Sequence, residues 1–540
     1  MRLFNDLKMY GRFARGLSSY LRHPISTDEA QAHILHQLAE RERNFLRLLE
    51  RGVFGHPRSP YLPLLKLAQC GFSDIKTMVM RDGLEATLRA LRAAGVYVTF
   101  EECKGRQPIV RDGRVFEVRD RDFDNPFIKA SYESESGGST GAGTRVQHDL
   151  DHLAEQAPHR MLTYAAHGIL DAPIVVWRGV LPDGSGIDGL LCLARFGRTP
   201  VRWLSPIATE DLKSRMLRFR LATSLTVSIA RWVGVNMPRP EYVPVDRPKV
   251  VARIVADVLR THGACAVNAV ASRALSVCVA AAGEGLDLTG ATFMVAGEPV
   301  TPGKVKGILE TGARYFPTYG FSEAGRIGMG CAHPTGTNDL HLMAGLCAVI
   351  QHPRPMPYSD ETVSAFNVTS LLPSAPKILL NAESDDYGVL ETRECGCPLG
   401  VLGLTQHLRD IRSFGKLTGE GVTLVGSDMT RVLEEVLPQR FGGTALDYQL
   451  MEAEDDDGVT RLTLLVNPEV HIERVDAVVT TLLEAIAEQG VGADVARATW
   501  AQAGTIRVTR AVPVRTARGK LFPLYVPARA TSPTLRPTRP

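Results

Sequence analysis

Strand-like and helix-like segments alternate along this chain, and that alternation narrows the architectures open to it. Residues 83–94 carry the spacing of an amphipathic helix, and 96–100 and 115–118 read as strands. The pattern recurs, with strands expected at 174–177 and 291–295 and helices at 250–261 and 302–311. Strands separated by helices need crossovers rather than hairpins, which favours an α/β fold with a largely parallel sheet. Near the start, Ser26-Thr27-Asp28-Glu29 fits a capping box, and Ile34, Leu38, Phe45 and Leu49 continue a helix expected to stop at Gly52. Beyond about residue 410 the texture shifts to α+β. There, residues 445–451 and 459–466 read as a hairpin and 505–514 as a strand. Val475, Val478, Val479, Leu482 and Ile486 line one face of a helix between them. The expected organisation is a helical extension over 1–60, a large multi-sheet α/β domain over 61–414, a small α+β domain over 415–526 and a disordered tail over 527–540.

Composition excludes several classes. A chain of 540 residues with 44% hydrophobic and 22% charged residues is globular and multidomain. Lys+Arg exceeds Asp+Glu by only 62 to 59, so the charge total points to no nucleic-acid partner. No segment has the ~18 apolar residues of a membrane span. The basic N-terminus, with Phe4, Leu7, Tyr10, Phe13 and Leu17 in helical register, reads as a helix docked on the body of the protein. Nine cysteines without a secretory leader indicate a reducing, cytoplasmic setting. Twelve lysines stand against fifty arginines, so a lysine is the rarer choice here.

The densest local signal is Ser136-Gly137-Gly138-Ser139-Thr140-Gly141-Ala142-Gly143-Thr144. Glycines let backbone N–H groups turn toward an anion, and hydroxyls add donors, so the stretch suits a phosphate cradle. It lacks the Gly-Lys-Ser/Thr ending of a Walker A loop, and a flexible Gly/Ser linker has a similar composition. Further on come Ala296-Gly297-Glu298-Pro299 after an expected strand, Tyr319-Gly320-Phe321-Ser322-Glu323, Asp385-Asp386, and Arg518-Gly519-Lys520 near the end.

This ordered set resembles the adenylate-forming superfamily of acyl-CoA synthetases, adenylation domains and luciferases, and within it the phenylacetate–CoA ligase and acyl-protein synthetase branch. The resemblance runs from about residue 60 to 526. It implies that Ser136, Gly137, Gly138, Ser139, Thr140 and Gly141 hold the β- and γ-phosphates of ATP. It places Glu298 and Pro299 beside adenine and stacks Tyr319, followed by Gly320, on the adenine ring. Ser322 would touch the α-phosphate, Glu323 would ligate Mg²⁺, Asp386 would accept the ribose hydroxyls, and Arg412 would be a second ribose contact. Lys520 would be the catalytic lysine of a mobile small domain, turning on a hinge at Gly415-Lys416. The chain departs from the pattern at Gly143-Thr144-Arg145, where many members carry Pro-Lys. It departs again at Glu383-Ser384-Asp385-Asp386, which leaves Asp385 as a substitute for Asp386.

The implied activity is ATP-dependent activation of a carboxylic acid to an acyl-adenylate, then transfer to a thiol: CoA, the pantetheine of a separate carrier protein, or a protein cysteine. Transfer to an amine or a reductase subunit, a non-catalytic ligand-binding subunit, and an ADP-forming phosphotransferase are the alternatives. The implied partners are an aryl or aliphatic acid and the acceptor, with no nucleic acid and no membrane span, the protein acting as monomer or homodimer. A second constellation is metal-like. Glu394-Cys395-Gly396-Cys397-Pro398 places two thiols in a turn, with Cys331, His333 and His341 upstream. Cys331, His341, Cys395 and Cys397 would give structural zinc its four S/N ligands, with His333 substituting for His341. The Ala- and Val-rich stretch 263–282 and the Phe316-Pro317-Thr318 turn are expected to line an acyl pocket by analogy with the family. For His262 and Arg273, packing or surface roles are weighed against pairing with the substrate carboxylate.

Overall fold

The fold is described from a computed structural model. It covers every residue except 1, 130, 136–144, 208–216, 298–299, 301, 356–361, 414–415, 420–421, 426–431, 444–446, 455–459, 488–499, 515–523 and 526–540. Two hairpins come first, β1 (Ile109–Arg111) with β2 (Arg114–Phe116) and β3 (Tyr132–Glu135) with β4 (Arg145–His148). Then follow β5 (Ile174–Trp177), β6 (Arg202–Ser205), β7 (Pro240–Tyr242), β8 (Cys265–Val270), β9 (Ala291–Ala296) and β10 (Arg314–Phe321). Next are β11 (Gly325–Gly330), β12 (Asp339–Leu342), β13 (Cys347–Pro355), β14 (Thr362–Ser370), β15 (Ala382–Thr392) and β16 (Gln406–Ser413). A hairpin of β17 (Lys416–Gly419) and β18 (Val422–Val425) leads to β19 (Tyr448–Glu454), β20 (Thr460–Val466), β21 (Ile506–Arg510) and β22 (Leu524–Tyr525).

Strands β5 to β16 form one twelve-stranded sheet, in the order β13-β14-β15-β16-β12-β11-β10-β9-β8-β5-β6-β7. From β10 to β7 neighbours are parallel, and from β13 to β10 they are antiparallel. Strand β10 is the junction, parallel to β9 on one edge and antiparallel to β11 on the other. The expected α/β class holds, and the sheet is mixed.

The parallel strands β5, β8 and β9 are buried along their whole length, as crossovers with helices on both faces require. Their side chains sort by parity. Ile174, Val176, Ala266, Met294 and Phe316 join a core with helices Arg2–Arg22, Leu150–Ala166, Gly184–Arg195 and Leu217–Trp232. Val175, Trp177, Val267, Phe293 and Val295 face helices Pro248–His262, Ala271–Gly283 and Pro302–Leu309. A third core lies under the antiparallel half and takes in Phe45, Leu88 and Val98. In the basic N-terminal helix Phe13 and Leu17 are buried, Phe13 edge-on to Tyr132 at 5.5 Å. The last strands form a separate four-stranded sheet, β21-β20-β19-β22, with its own core around Leu450, Leu464 and Leu482.

Several local expectations need correction. Residues 96–100 form no strand; Val98 makes a single parallel bridge to Ala382, because Thr99 caps a short helix, Phe100–Cys103. The capping box of Ser26 and Glu29 is present, but the helix ends at Ala39 and a second runs Arg41–Leu49 into a π turn over Glu50–Phe54. The strand expected over 505–514 is shorter, Ile506–Arg510.

Candidate active site

The candidate site is built around the end of β10. Thr318 and Tyr319 are consecutive there, so their side chains leave opposite faces of the sheet. The Tyr319 hydroxyl donates to Asp386 Oδ2 at 2.8 Å and lies 3.3 Å from Ser384 Oγ. Burial first, and then the Asp386 charge, push this phenol well above its usual value of 10.0, so it stays a donor. Asp386 faces Ser413 across the β15–β16 ladder, and the Ser413 hydroxyl donates to its Oδ1. Arg412, one residue before, is exposed and opposite Tyr387. Tyr319 and Asp386 therefore meet at one edge of the site, while Arg412, next to Ser413 on the strand, points to the opposite face of the sheet from Asp386. Asp385, the substitute, is buried at φ 62° with its Oδ1 3.6 Å from Arg354, so Asp386 is the carboxylate that meets Tyr319. Ser413 is an addition that no motif announces.

The β10–β11 turn holds Ser322 and Glu323. Glu323 is 4% exposed and forms an ion pair with Lys104, which follows helix Phe100–Cys103. Burial alone would raise this carboxyl. The Lys104 ammonium, with Lys377 behind it, wins and holds it below the usual 4.5. Lys377, 1% exposed, donates to Asp124 Oδ1 at 2.7 Å and to the Asp120 carbonyl at 2.6 Å. Asp124 in turn receives Arg145 at 2.8 Å, and Arg145 also pairs with Glu133. A chain of alternating charges thus links Glu323 to β3 and β4, the strands on either side of residues 136–144. Helix Leu150–Ala166 makes a second link, because Gln156 Oε1 accepts from the Arg326 N–H at 3.3 Å. Gly325 in this turn has φ +73°, and a Cβ there would lie 2.8 Å from Gln156 Nε2 and 2.9 Å from His152 Nε2.

Ser136, Gly137, Gly138, Ser139, Thr140, Gly141, Glu298, Pro299, Gly415 and Lys520 lie outside the described residues. Gly320 pairs with Arg326 at a register shift, and a Cβ there would be 2.3 Å from the Gly325 carbonyl oxygen, so only glycine fits. Lys104 was missed in the sequence because nothing marks a lone lysine 219 positions from its partner.

The structure brings a thiol–imidazole cluster together in which His407 joins Cys331, His341 and Cys395, with Cys397 beside His341. His341 on β12 and His407 on β16 are directly paired across the ladder, their rings 4.2 Å apart. Cys331 follows β11, and Gly396, at φ +69°, turns Cys395 and Cys397 inward. The ligand atoms of Cys331, His341, Cys395 and His407 lie within 4.8 Å of one another, and Cys397 Sγ is 3.0 Å from His341 Nε2. His341 Nδ1 donates to the Leu404 carbonyl at 2.6 Å and His407 Nδ1 to Asp339 Oδ1 at 2.7 Å. That leaves Nε2 of each ring facing the cluster: His341 Nε2 meets Cys397 Sγ, and His407 Nε2 is buried without a hydrogen-bond partner. The hydrogen bond from Cys331, then His341, lowers Cys397 toward thiolate. This donor set fits zinc. His333, the substitute, sits at the rim with Nδ1 3.1 Å from the Cys395 carbonyl. No other group of metal-binding side chains is found among the described residues.

No protein-family model matches the sequence, and no curated protein matches it. Solved structures do. A 2-hydroxyisobutyryl-CoA ligase in complex with 2-HIB-AMP and CoA aligns over 94% of this chain and 91% of its own, at 16% identity and TM-score 0.52. The amide bond synthetase McbA from Marinactinospora thermotolerans aligns over 95% and 98%, at 14% identity and TM-score 0.40. The anthranilate CoA ligase AuaEII with anthranoyl-AMP aligns over 81% and 74%, at 10% identity and TM-score 0.34. The chain has the fold of the adenylate-forming ligases, a large mixed-sheet α/β body followed by a smaller C-terminal sheet. No helix among the described residues is long and apolar enough to cross a membrane.

Proposed function

We propose that the protein is an AMP-forming acid–thiol ligase of the phenylacetate–CoA ligase-like branch. One observation carries this reading. A hydrogen-bonded pair suited to the adenine and ribose sides of a nucleoside, Tyr319 with Asp386, and a buried carboxylate, Glu323, flank the end of β10, and a charge chain ties Glu323 to the strands on either side of residues 136–144. In open α/β sheets, ligands bind outside the carboxyl ends of the parallel strands, which is where these groups meet.

The reaction is attack of a carboxylate oxygen on the α-phosphorus of ATP, with pyrophosphate leaving. Two anions must approach while charge builds on phosphoryl oxygens, so positioning and cation placement dominate catalysis. Asp386 would hold the ribose, Ser322 would donate to the α-phosphate, and residues 136–144 would cradle the outer phosphates. Lys104 and Lys377 add ammonium charge next to Glu323, in a chain whose loop ends in Arg145 rather than Pro-Lys. Glu323, kept ionised, would ligate Mg²⁺, which neutralises phosphate charge when bound. Lys520 would bridge the acid and the α-phosphate during adenylation and withdraw as the small domain, residues 415–526, turns. CoA or a carrier-protein thiol then takes the acyl group, giving a thioester and AMP. Separately, four of the five residues Cys331, His341, Cys395, Cys397 and His407 would ligate a structural zinc.

The test is pyrophosphate exchange with ATP, Mg²⁺ and a panel of carboxylic acids, with and without CoA. Exchange with an acid, and AMP release accelerated by CoA, are expected. Silence across the panel would favour a ligand-binding subunit, and ADP as product would refute adenylation.

A further inference from the structure

The face of β10 opposite Tyr319 carries a different chemistry. Thr318 points there, and its Oγ1 accepts from Arg326 Nη1 at 2.8 Å. Arg178, just past β5, donates from Nε to Asn268 Oδ1 at 3.0 Å and from Nη2 to the Ala269 carbonyl at 2.8 Å. Arg160, on helix Leu150–Ala166, donates to the Gly189 carbonyl at 3.1 Å. A Cβ on Gly189 would lie 3.4 Å from Arg160 Nη1 and 3.6 Å from Asn268 Nδ2, which places Arg160 beside the amide that holds Arg178. Arg160 and Arg178 are 6% and 7% exposed.

Every acceptor in those hydrogen bonds is a neutral oxygen. Among the described residues, no carboxylate lies within ion-pair distance of Arg160, Arg178 or Arg326. The nearby acids are engaged elsewhere: Asp183 accepts from the Ser185 N–H at 2.9 Å, and Asp188 takes the Tyr132 hydroxyl and lies 3.3 Å from His148 Nδ1. His152, also buried, has both ring nitrogens without a partner and faces the same β10–β11 turn. Burial pulls Arg178 down to about 9 against the opposing charge of Asp183, and burial, then the Arg160 charge, pulls Arg326 down to about 10. Buried guanidinium groups left unpaired are costly, and an anion bound between them relieves both desolvation and mutual repulsion.

We infer that Arg160, Arg178 and Arg326 form a receptor for a second anionic group on the acid being activated, so that the substrate is a dicarboxylic, phosphorylated or sulfonated acid rather than a plain aryl or aliphatic one. This rests on the adenylation reading above and deepens it. The guanidinium fork matches carboxylate and phosphate oxygens bidentately. The nucleotide's own phosphates are the other source of such an anion. The opposite directions of Thr318 and Tyr319 separate the arginines from the Tyr319–Asp386 pair and favour the acid.

Pyrophosphate exchange on the full-length protein, with hexanoate, 6-hydroxyhexanoate, succinate, glutarate, adipate and a phosphorylated acid as probes, reads the preference. The dianionic acids should exceed the uncharged-tail acids by roughly 100-fold in kcat/KM, a discrimination of the size a deleted charge-assisted contact gives. Arg326→Met and Arg178→Met should raise KM for the dianionic acid by about the same factor and leave KM for ATP within about twofold. Arg178→Lys keeps the charge but not the fork, and should fall between. Preference for hexanoate, or a rise in KM for ATP in place of KM for the acid, would overturn the inference. Should no acid support exchange, calorimetric titration of adipate into the same proteins decides. Binding lost in Arg326→Met keeps the anion receptor while the adenylation reading fails, and no binding to the unsubstituted protein rejects both.

Discussion

The Lys104–Glu323 pair offers the sharpest test of the site. Both side chains are nearly dry, 11% and 5% exposed, so neither charge is offset by solvent. Two unit charges in contact at about 3 Å with an effective dielectric near 20 attract by roughly 5 kcal/mol, and desolvation cancels part of that. Lys104→Met strands the carboxylate, so the expected loss of stability at neutral pH is about 3 kcal/mol, the lower end for breaking a buried pair. In a domain of this size, at about 2.1 cal/mol/K of unfolding entropy per residue, that lowers Tm by roughly 4 °C. The pH dependence has a definite sign. The folded Glu323 carboxyl lies below its ordinary 4.5, so the pair stabilises above that pH and its contribution fades as pH falls through the folded value. In Lys104→Met the burial effect is less opposed and Glu323 takes up its proton at higher pH. The stability deficit of the variant should therefore be largest near pH 7 and shrink below about pH 4.5. Thermal melts of Lys104→Met, Glu323→Gln and the double variant from pH 7 to 4 measure this. The double variant should regain part of the loss, with a coupling energy of about 2 kcal/mol. A coupling below about 0.5 kcal/mol, or a deficit that does not change with pH, would mean the pair does not exist in solution.

Tyr319→Phe removes the donor to Asp386 while keeping the ring, and should raise KM for ATP about tenfold with the acid KM unchanged; steady-state kinetics over both substrates would show otherwise. Lys520→Ala should lose adenylation yet still convert presynthesised acyl-adenylate and thiol to thioester, and equal loss of both half-reactions would contradict the two-pose mechanism. Protein purified without chelator should carry about one zinc per chain, and His407→Ala should lower that occupancy as much as Cys397→Ala does, by metal analysis. Gly400→Ala should cut zinc occupancy too, because its Cβ would sit 2.9 Å from Cys395 Sγ.

The local, periodic features were legible in the sequence. Apolar spacing marks the helices Leu84–Ala93 and Pro248–His262 and continuous apolar runs mark the strands Ile174–Trp177 and Ala291–Ala296, because each is fixed by the burial of its own consecutive residues. The capping box at Ser26 and the Cys395-Gly396-Cys397 turn are local for the same reason. The order of the motifs points to the adenylate-forming fold. What only the tertiary structure decided are pairings between distant segments. Lys104 reaches Glu323, His407 lies opposite His341, Ser413 meets Asp386, and Arg160, Arg178 and Arg326 converge from a helix and two strands. Lys104, His407, Ser413 and the three arginines sit in no recognisable pattern, since a single polar, charged or imidazole side chain carries no periodicity. Their roles come from burial and from sheet register, which set the local dielectric and the partner, and neither is written in the neighbouring sequence. The same physics explains the failed strand at 96–100: its β-type residues were real, but Thr99 found a helix to cap and Val98 found only one neighbour to bridge.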